Sequence, residues 1–274
     1  VRTFDVAGVS IPKLGIGTYG LSGEAGAKAV AGGIKAGHRH VDTAEMYENE
    51  TEVGEGIRAS GVARDDLFVT SKCWWTNIGD GDLQRACEAS LKRLGLDRLD
   101  LYLIHWPNPG IPLAGSLKAL AEVRERGLTR AVGVSNFPVA LLDEAVALSK
   151  VPLAVNQVEY HPYLSQAKLL AAVTRHGMGL TAYSPIAKGR VGTDPVIRRV
   201  AAAHGVSPIV ATLAWLIGQA PVIAIPKSGS PERLAEHLQA YTVDLTADER
   251  AAIGGLAGPG SRIVDPAHAP LWDA

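Results

Sequence analysis

The segment Asp100-Leu101-Tyr102-Leu103-Ile104-His105 is a short apolar run that ends on a polar residue. After it, apolar residues recur at helical spacing over 113–126, Gly127 intervenes, and a second run begins at Ala131-Val132-Gly133-Val134. A strand, an amphipathic helix stopped by glycine and a second strand make the unit that sets strands in parallel through a helical crossover. The unit repeats in both directions along the chain. Strand-like runs stand at 14–17, 40–42, 67–70, 154–157, 180–182 and 222–225. Helical spacing occupies 25–36, 52–59, 83–94, 140–149, 167–176 and 210–217, with stops at Gly37, Gly61, Gly95 and Gly177. Ahead of all this, residues 3–11 alternate and turn at Ala7-Gly8, which predicts a small hairpin. Short runs rich in Val, Ile and Leu suit strands buried on both faces. The predicted architecture is one α/β domain over 1–274, a closed (β/α)8 TIM barrel with an N-terminal β-hairpin. The 274 residues suffice for it, since such a barrel takes about 250.

Composition narrows the function classes. Hydrophobic residues make up 47% and charged residues 20%, an ordinary globular balance. A net charge of −1 gives no electrostatic reason for nucleic acid or an acidic membrane as partner. Cys73 and Cys87 form no Cys-x-x-Cys pair, so the expectation is a reducing compartment and no structural metal. The first residues lack a basic stretch followed by an apolar core, and no apolar run approaches the ~20 residues of a membrane span. The expected location is therefore the cytoplasm, and with no interface signature the expected state is a monomer.

In such a barrel the chemistry sits at the C-terminal ends of the strands. Polar residues gather there from the second strand onward: Asp42 and Tyr47, Lys72, His105, Ser135 and Asn136, Gln157, Tyr183 and Ser184, then Lys227 and Ser228. Three familiar patterns compete for them. Gly15-Ile16-Gly17-Thr18-Tyr19-Gly20 matches the Rossmann dinucleotide fingerprint, with Asp42 further on. None of the tyrosines has a lysine four residues later, as a short-chain Rossmann dehydrogenase would need. The glycines also read simply as a tight strand-to-helix turn. His38-Arg39-His40 offers two metal ligands, but a site needs three or four that converge. A glycosidase needs a carboxylate pair, whereas the fourth and seventh strands end at His105 and Tyr183.

Gly37-His38-Arg39-His40-Val41-Asp42-Thr43-Ala44, with Tyr47, Asn49 and Glu50 after it, resembles the aldo-keto reductase signature. Arg64 to Lys72 resembles that family's third strand and Asp100 to Pro107 its fourth. Gly133-Val134-Ser135-Asn136-Phe137, Asn156 to Pro162 and Ile225-Pro226-Lys227-Ser228 are similar to its fifth, sixth and eighth. The pieces occur in order over nearly the whole chain and look most like small prokaryotic members that reduce diketogluconate.

The resemblance implies reduction of an aldehyde or ketone by NADPH, and the residues suit that chemistry. No side chain supplies a hydride, so a cofactor must, and the developing alkoxide needs a positioned acid. Tyr47, with a free pKa near about 10, is a poor acid unless tuned. Lys72 is placed to lower that value, Asp42 to hold Lys72, and His105 to orient the substrate oxygen. Read singly, these are also a loop tyrosine, a structural ion pair and a core histidine. For the cofactor, the resemblance implies that Ser135, Asn136 and Gln157 hold the nicotinamide amide, that Tyr183 stacks on its ring, and that the loop from Ser184 to Lys188 lies near the pyrophosphate. It also implies that Thr18 borders the cofactor and that Lys227, Ser228 and Arg233 take the 2′-phosphate, which selects NADPH over NADH. Glu236 matches the family, but His237 stands where an adenine-contacting Asn is usual, and Glu48 where Gly is common, which is expected to alter the loop beside Tyr47. Tyr19, Trp74 and Trp106 are expected on the substrate rim, and the short tail ending Trp272-Asp273-Ala274 is expected to shape specificity. The alternative is an NADP(H)-binding sensor or structural protein that keeps the fold and turns over weakly.

Overall fold

The structure, a computed structural model, describes residues 2–273. Strands β1 (Thr3–Val6) and β2 (Val9–Pro12) form the antiparallel hairpin, and the turn at Ala7 and Gly8 takes positive φ at both residues. The parallel strands follow as β3 (Ile16–Gly17), β4 (His40–Asp42), β5 (Phe68–Cys73), β6 (Leu99–Ile104), β7 (Thr129–Ser135), β8 (Leu153–Glu159), β9 (Gly179–Tyr183) and β10 (Val222–Ala224). They lie side by side in sequence order in an eight-stranded sheet. The ring meets itself at a seam: Gly15 N–H donates to Ala224 O (2.9 Å), Ala224 N–H to Lys13 O (2.8 Å) and Gly17 N–H to Pro226 O (2.9 Å). This is the expected (β/α)8 barrel with its N-terminal hairpin.

Two apolar layers hold it. Helices α1 (Gly23–Ala36), α2 (Glu50–Ser60), α3 (Asp82–Leu94), α4 (Leu113–Glu125), α5 (Val139–Leu148) and α6 (Ala167–Arg175) pack their apolar stripes on the outside of the sheet, in the larger core with Ile16, Val69, Tyr102 and Val134. The smaller core lies elsewhere. Val6, Val9 and Ile11 of the hairpin pack with Phe68, Leu101, Leu103, Ala131, Val155 and Ile223 of the strands. The hairpin thus plugs the N-terminal end of the barrel and leaves the C-terminal end for chemistry.

Two of the three glycines of the dinucleotide-like motif have a packing role. A Cβ on Gly15 would lie 2.8 Å from the His40 ring, and one on Gly17 would lie 2.7 Å from the Ile225 carbonyl. They are small because the seam is tight.

The sequence expectations differ from the structure mostly at element ends. β3 is two residues because Leu14 enters the seam as an isolated bridge to Ala224, and β5 runs on through Lys72, which lies inside the strand rather than after it. Three helices were not anticipated: α7 (Pro195–Ala203), which precedes the expected α8 (Pro208–Ile217), then α9 (Pro231–His237) and α10 (Ala247–Gly254). α7 announces itself locally, since Asp194 accepts from the Val196 and Ile197 N–H groups and Pro195 opens the first turn. Among the described residues no single helix is long and apolar enough to cross a membrane.

Candidate active site

Four side chains meet at the C-terminal mouth. Asp42 ends β4 and Lys72 stands near the end of β5, its neighbour in the sheet. The fully buried Lys72 Nζ donates to Asp42 Oδ1 (2.5 Å), to the Thr43 carbonyl (2.8 Å) and to Tyr47 Oη (3.2 Å). Three donors meet three acceptors, which a buried ammonium requires. Tyr47 sits on a 3-10 turn over Glu45–Tyr47, and its ring lies edge-on to Tyr19 (5.2 Å) and to His105 (5.6 Å). Glu45 fixes that turn against the loop after β5 by accepting from Trp74 N–H (2.8 Å) and Asn77 Nδ2 (2.7 Å).

The electrostatics depart from expectation at one point. Burial raises the Tyr47 hydroxyl above its ordinary value, and the downward pull of Lys72 does not overcome it. Tyr47 is therefore held protonated, not tuned downward. Burial lowers Lys72, but Asp42 and Tyr47 outweigh it and hold the ammonium above its ordinary value. Burial, followed by the nearby Lys72 and His268, takes His105 well below the usual imidazole value, so the ring is neutral.

The candidate cofactor residues are partly committed to one another. Gln157 Nε2 donates to Asp42 Oδ2 (2.8 Å), and Ser135 Oγ donates to the Gln157 carbonyl (2.8 Å). Asn136, at φ 64°, donates to the His105 carbonyl (3.0 Å) and accepts from Tyr183 Oη (2.9 Å). Thr18 donates its hydroxyl to the Asp42 carbonyl (3.0 Å). Ser184 begins the loop after β9 at φ 50°. Farther along the chain, Lys227 and Arg233 are exposed, Ser228 is buried and Glu236 is half-buried. An ammonium, a guanidinium and a hydroxyl are the donor set that a phosphate monoester needs. His237, only 3% exposed, is turned into the fold, where burial, His38 and Arg233 lower it to about 4. Glu48 stands in the left-handed region at φ 54°, a shape that glycine adopts more readily. A non-glycine residue pays roughly 1–2 kcal/mol for that conformation.

On the rim, Tyr19 is 63% exposed, Trp74 is half-buried and Trp106 is buried. The pair His38 and His40 does not converge. His38 Nε2 bonds the Leu234 carbonyl (2.9 Å), whereas His40 bonds the Pro12 carbonyl and Thr70 Oγ1 (3.2 Å each).

Residues 13–257 match the aldo/keto reductase family. The chain belongs to that family. It is 38% identical to methylglyoxal reductase DkgB of Salmonella typhi over 269 residues, 97% of this chain and 100% of that protein. A crystal structure provisionally named 2,5-diketo-D-gluconic acid reductase B is 42% identical with a TM-score of 0.97, covering 100% of this chain and 98% of the other. An alanine-substituted mutant of Gox0644, solved in complex with NADPH, is 33% identical with a TM-score of 0.88 and covers 94% of each chain.

In this aldo/keto reductase several residues at the mouth escaped the sequence reading. Glu45 is one. The buried Glu159 is another: its carboxylate accepts Ile263 N–H and Val264 N–H (2.7 Å each) and is bonded by His161 Nε2 (2.8 Å), so it pins the C-terminal tail. Trp75, Arg262, His268 and Trp272 complete the wall. Arg262 lies over the Trp272 ring (3.7 Å), and Trp272 meets Trp106 edge-on (5.9 Å). The tail is aperiodic, and only a glutamate standing in a buried strand gave any sign that something charged or polar must come to meet it.

Proposed function

We propose that this chain reduces an aldehyde or ketone to an alcohol with NADPH, and that Tyr47 gives the proton. The observation that carries this reading is the single Lys72 ammonium bonded at once to Asp42 and Tyr47, beside the neutral His105. NADPH, when bound, supplies the hydride. His105 hydrogen-bonds the substrate oxygen and turns the carbonyl carbon toward the cofactor side of the mouth. As negative charge develops on that oxygen, the Tyr47 hydroxyl passes its proton there. The alkoxide is a stronger base than the phenolate, so a tyrosine held protonated at neutral pH is suited to the step. Lys72 steadies the phenolate left behind through its bond to Oη, and Asp42 keeps Lys72 charged and aimed.

Around this centre, Thr18, Ser135, Asn136, Gln157 and Tyr183 hold the nicotinamide half, and Ser184 opens the loop near the pyrophosphate. Lys227, Ser228 and Arg233 hold the 2′-phosphate, with Glu236 nearby, and the inward turn of His237 argues against an adenine contact there. Tyr19, Trp74 and Trp106 face substrate. The reading includes one catalytic domain over 1–274, acting as a monomer in a reducing, cytoplasmic setting. Two free, buried thiols support the last point.

The test is NADPH absorbance with a panel of small aldehydes, methylglyoxal and keto-sugars. Carbonyl-dependent consumption is expected. Tyr47→Phe is expected to lose about a hundredfold to ten-thousandfold in kcat and to bind NADPH as the parent does. A Phe variant that reduces aldehydes as fast as the parent overturns the assignment.

A further inference from the structure

The end of the barrel opposite the mouth has a concavity of its own, a hollow of about 430 Å³. That lies within the size range of small-molecule sites. The hairpin turn at Ala7 and Gly8 lines it, together with Arg98, Arg124 and Arg130 and one carboxylate, Glu125.

The sheet register gathers the guanidiniums. Leu99 of β6 pairs with Thr129 of β7, so Arg98, one residue before, and Arg130, one residue after, stand at the starts of adjacent strands. Arg124 comes from the last turn of α4, and its Nε donates to the Arg130 carbonyl (3.2 Å). Arg98 Nη2 donates to Asp65 (2.8 Å), and Arg130 Nη1 to the buried Asp100 (3.1 Å). Each side chain is thus steadied by one protein oxygen. A guanidinium carries five N–H donors, so most of their capacity is left over. Arg124 is the clearest case. It is half-buried, and among the described residues it meets no carboxylate and neither terminal nitrogen is bonded, whereas Arg126, two residues on, pairs with Glu88.

Three like charges around one concavity repel one another, and an anion seated among them relieves that repulsion. The chemistry of such a barrel sits at its other end, so the proposed reaction gives no reason for the cluster. We propose that this hollow binds a small polyanion, a molecule bearing two or more phosphate or carboxylate charges. Arg98 and Arg124 grip it through paired N–H groups, and Arg130, held by Asp100, adds a third charge. The ligand touches the hairpin turn, α4 and the starts of β6 and β7 together. It therefore binds the folded chain in preference to the unfolded one and stabilises it by mass action. The site does not depend on the reductase reading.

The experiment titrates the whole chain in a calorimeter with sodium pyrophosphate and, separately, with citrate, in the parent, Arg124→Gln and Arg98→Gln. Neither substitution strands a buried carboxylate, since the partner of Arg98 is the exposed Asp65. Anion held at the Lys227 and Arg233 corner is untouched by either change, so the difference from the parent reads the hollow alone. At least one of the two anions is expected to bind the parent, to raise its thermal midpoint, and to bind the hollow about tenfold or more weakly in each variant. Pyrophosphate alone would assign the site to phosphoryl groups, and citrate alone to carboxylates. If one variant does not fold, the other decides. A parent that binds neither anion, or a folded variant that binds as tightly as the parent, overturns the proposal.

Discussion

Gln157 Nε2 donates to Asp42 Oδ2 at 2.8 Å while Lys72 holds Asp42 Oδ1 at 2.5 Å. β4 and β8 are not neighbours in the sheet, so this bond crosses the barrel mouth. It divides the duty of Gln157, since one of its two N–H groups is spent on the Asp42 carboxylate. Gln157→Leu strips Asp42 of that donor. Urea unfolding is expected to show a loss of about 1.5–3 kcal/mol, the range for a hydrogen bond to a charged group. An unchanged midpoint would mean that Oδ2 has no need of a donor.

Lys72 and Asp42 are both a buried ion pair and, by our proposal, half of the catalytic group, and two variants separate the roles. Lys72→Met leaves an unpaired buried carboxylate and is expected to cost about 3–5 kcal/mol. Adding Asp42→Leu removes the stranded charge and should return most of the stability. Turnover should not return, because no ammonium faces Tyr47. A double variant that is both stable and active would reduce Lys72 to a structural residue.

Arg233 is exposed in α9, a few residues after the exposed Lys227 and the buried Ser228 in sequence. Its planar fork grips a phosphate through paired hydrogen bonds, and NADH has no phosphate at that place. Arg233→Ala is expected to weaken NADPH about tenfold to a hundredfold and NADH no more than about twofold, as charge-assisted bonds of this kind are worth. Fluorescence titration of each nucleotide decides it, and equal losses would remove the 2′-phosphate from this corner.

Acid should destabilise the fold through its inward histidines. His237 is lowered to about 4 in the folded chain, first by burial and then by His38 and Arg233. The unfolded chain takes its proton near about 6.5. Between those values the unfolded state binds more protons, so stability present above about pH 6.5 is lost as pH falls toward about 4. His38 and His40, lowered chiefly by burial, act in the same direction. Thermal unfolding of His237→Gln should lose about 2 kcal/mol less than the parent between pH 7 and pH 5. Identical losses would mean that His237 does not titrate in that window.

The barrel was legible because buried parallel strands leave a strong signature. Val132, Val134 and Tyr102 are apolar on a face that meets helices, and Leu101 and Leu103 on a face that meets the interior, so such runs have no polar phase to confuse them. Asp42, Lys72, His105 and Gln157 were legible for the complementary reason. A charged or polar residue at the end of an apolar run has no packing rationale and marks the mouth. Tyr47 needed the resemblance, since a tyrosine in a loop declares nothing by itself. What stayed hidden depends on contacts between distant segments. No local pattern ties Glu159 to Ile263, or His268 to Trp75, and the tail that joins them has no period to read. The pKa of Tyr47 was misjudged because a sequence names the charged neighbour, Lys72, without telling how completely the hydroxyl is removed from water.

The seam has a consequence for synthesis. Residues 13–17 have β4 on one side, but on the other side they meet their partners only at 224–226. Until residues 222–226 have been made, β3 and β9 each present an unpaired edge, and the mouth that gathers Asp42, Lys72 and Gln157 is an open gutter. Closure, and with it a fixed active site, waits for a strand of three residues, Val222–Ala224, to emerge and slide between them. A nascent chain stalled before that point carries Asp42, Tyr47, Lys72 and His105 and has no finished ring to hold them.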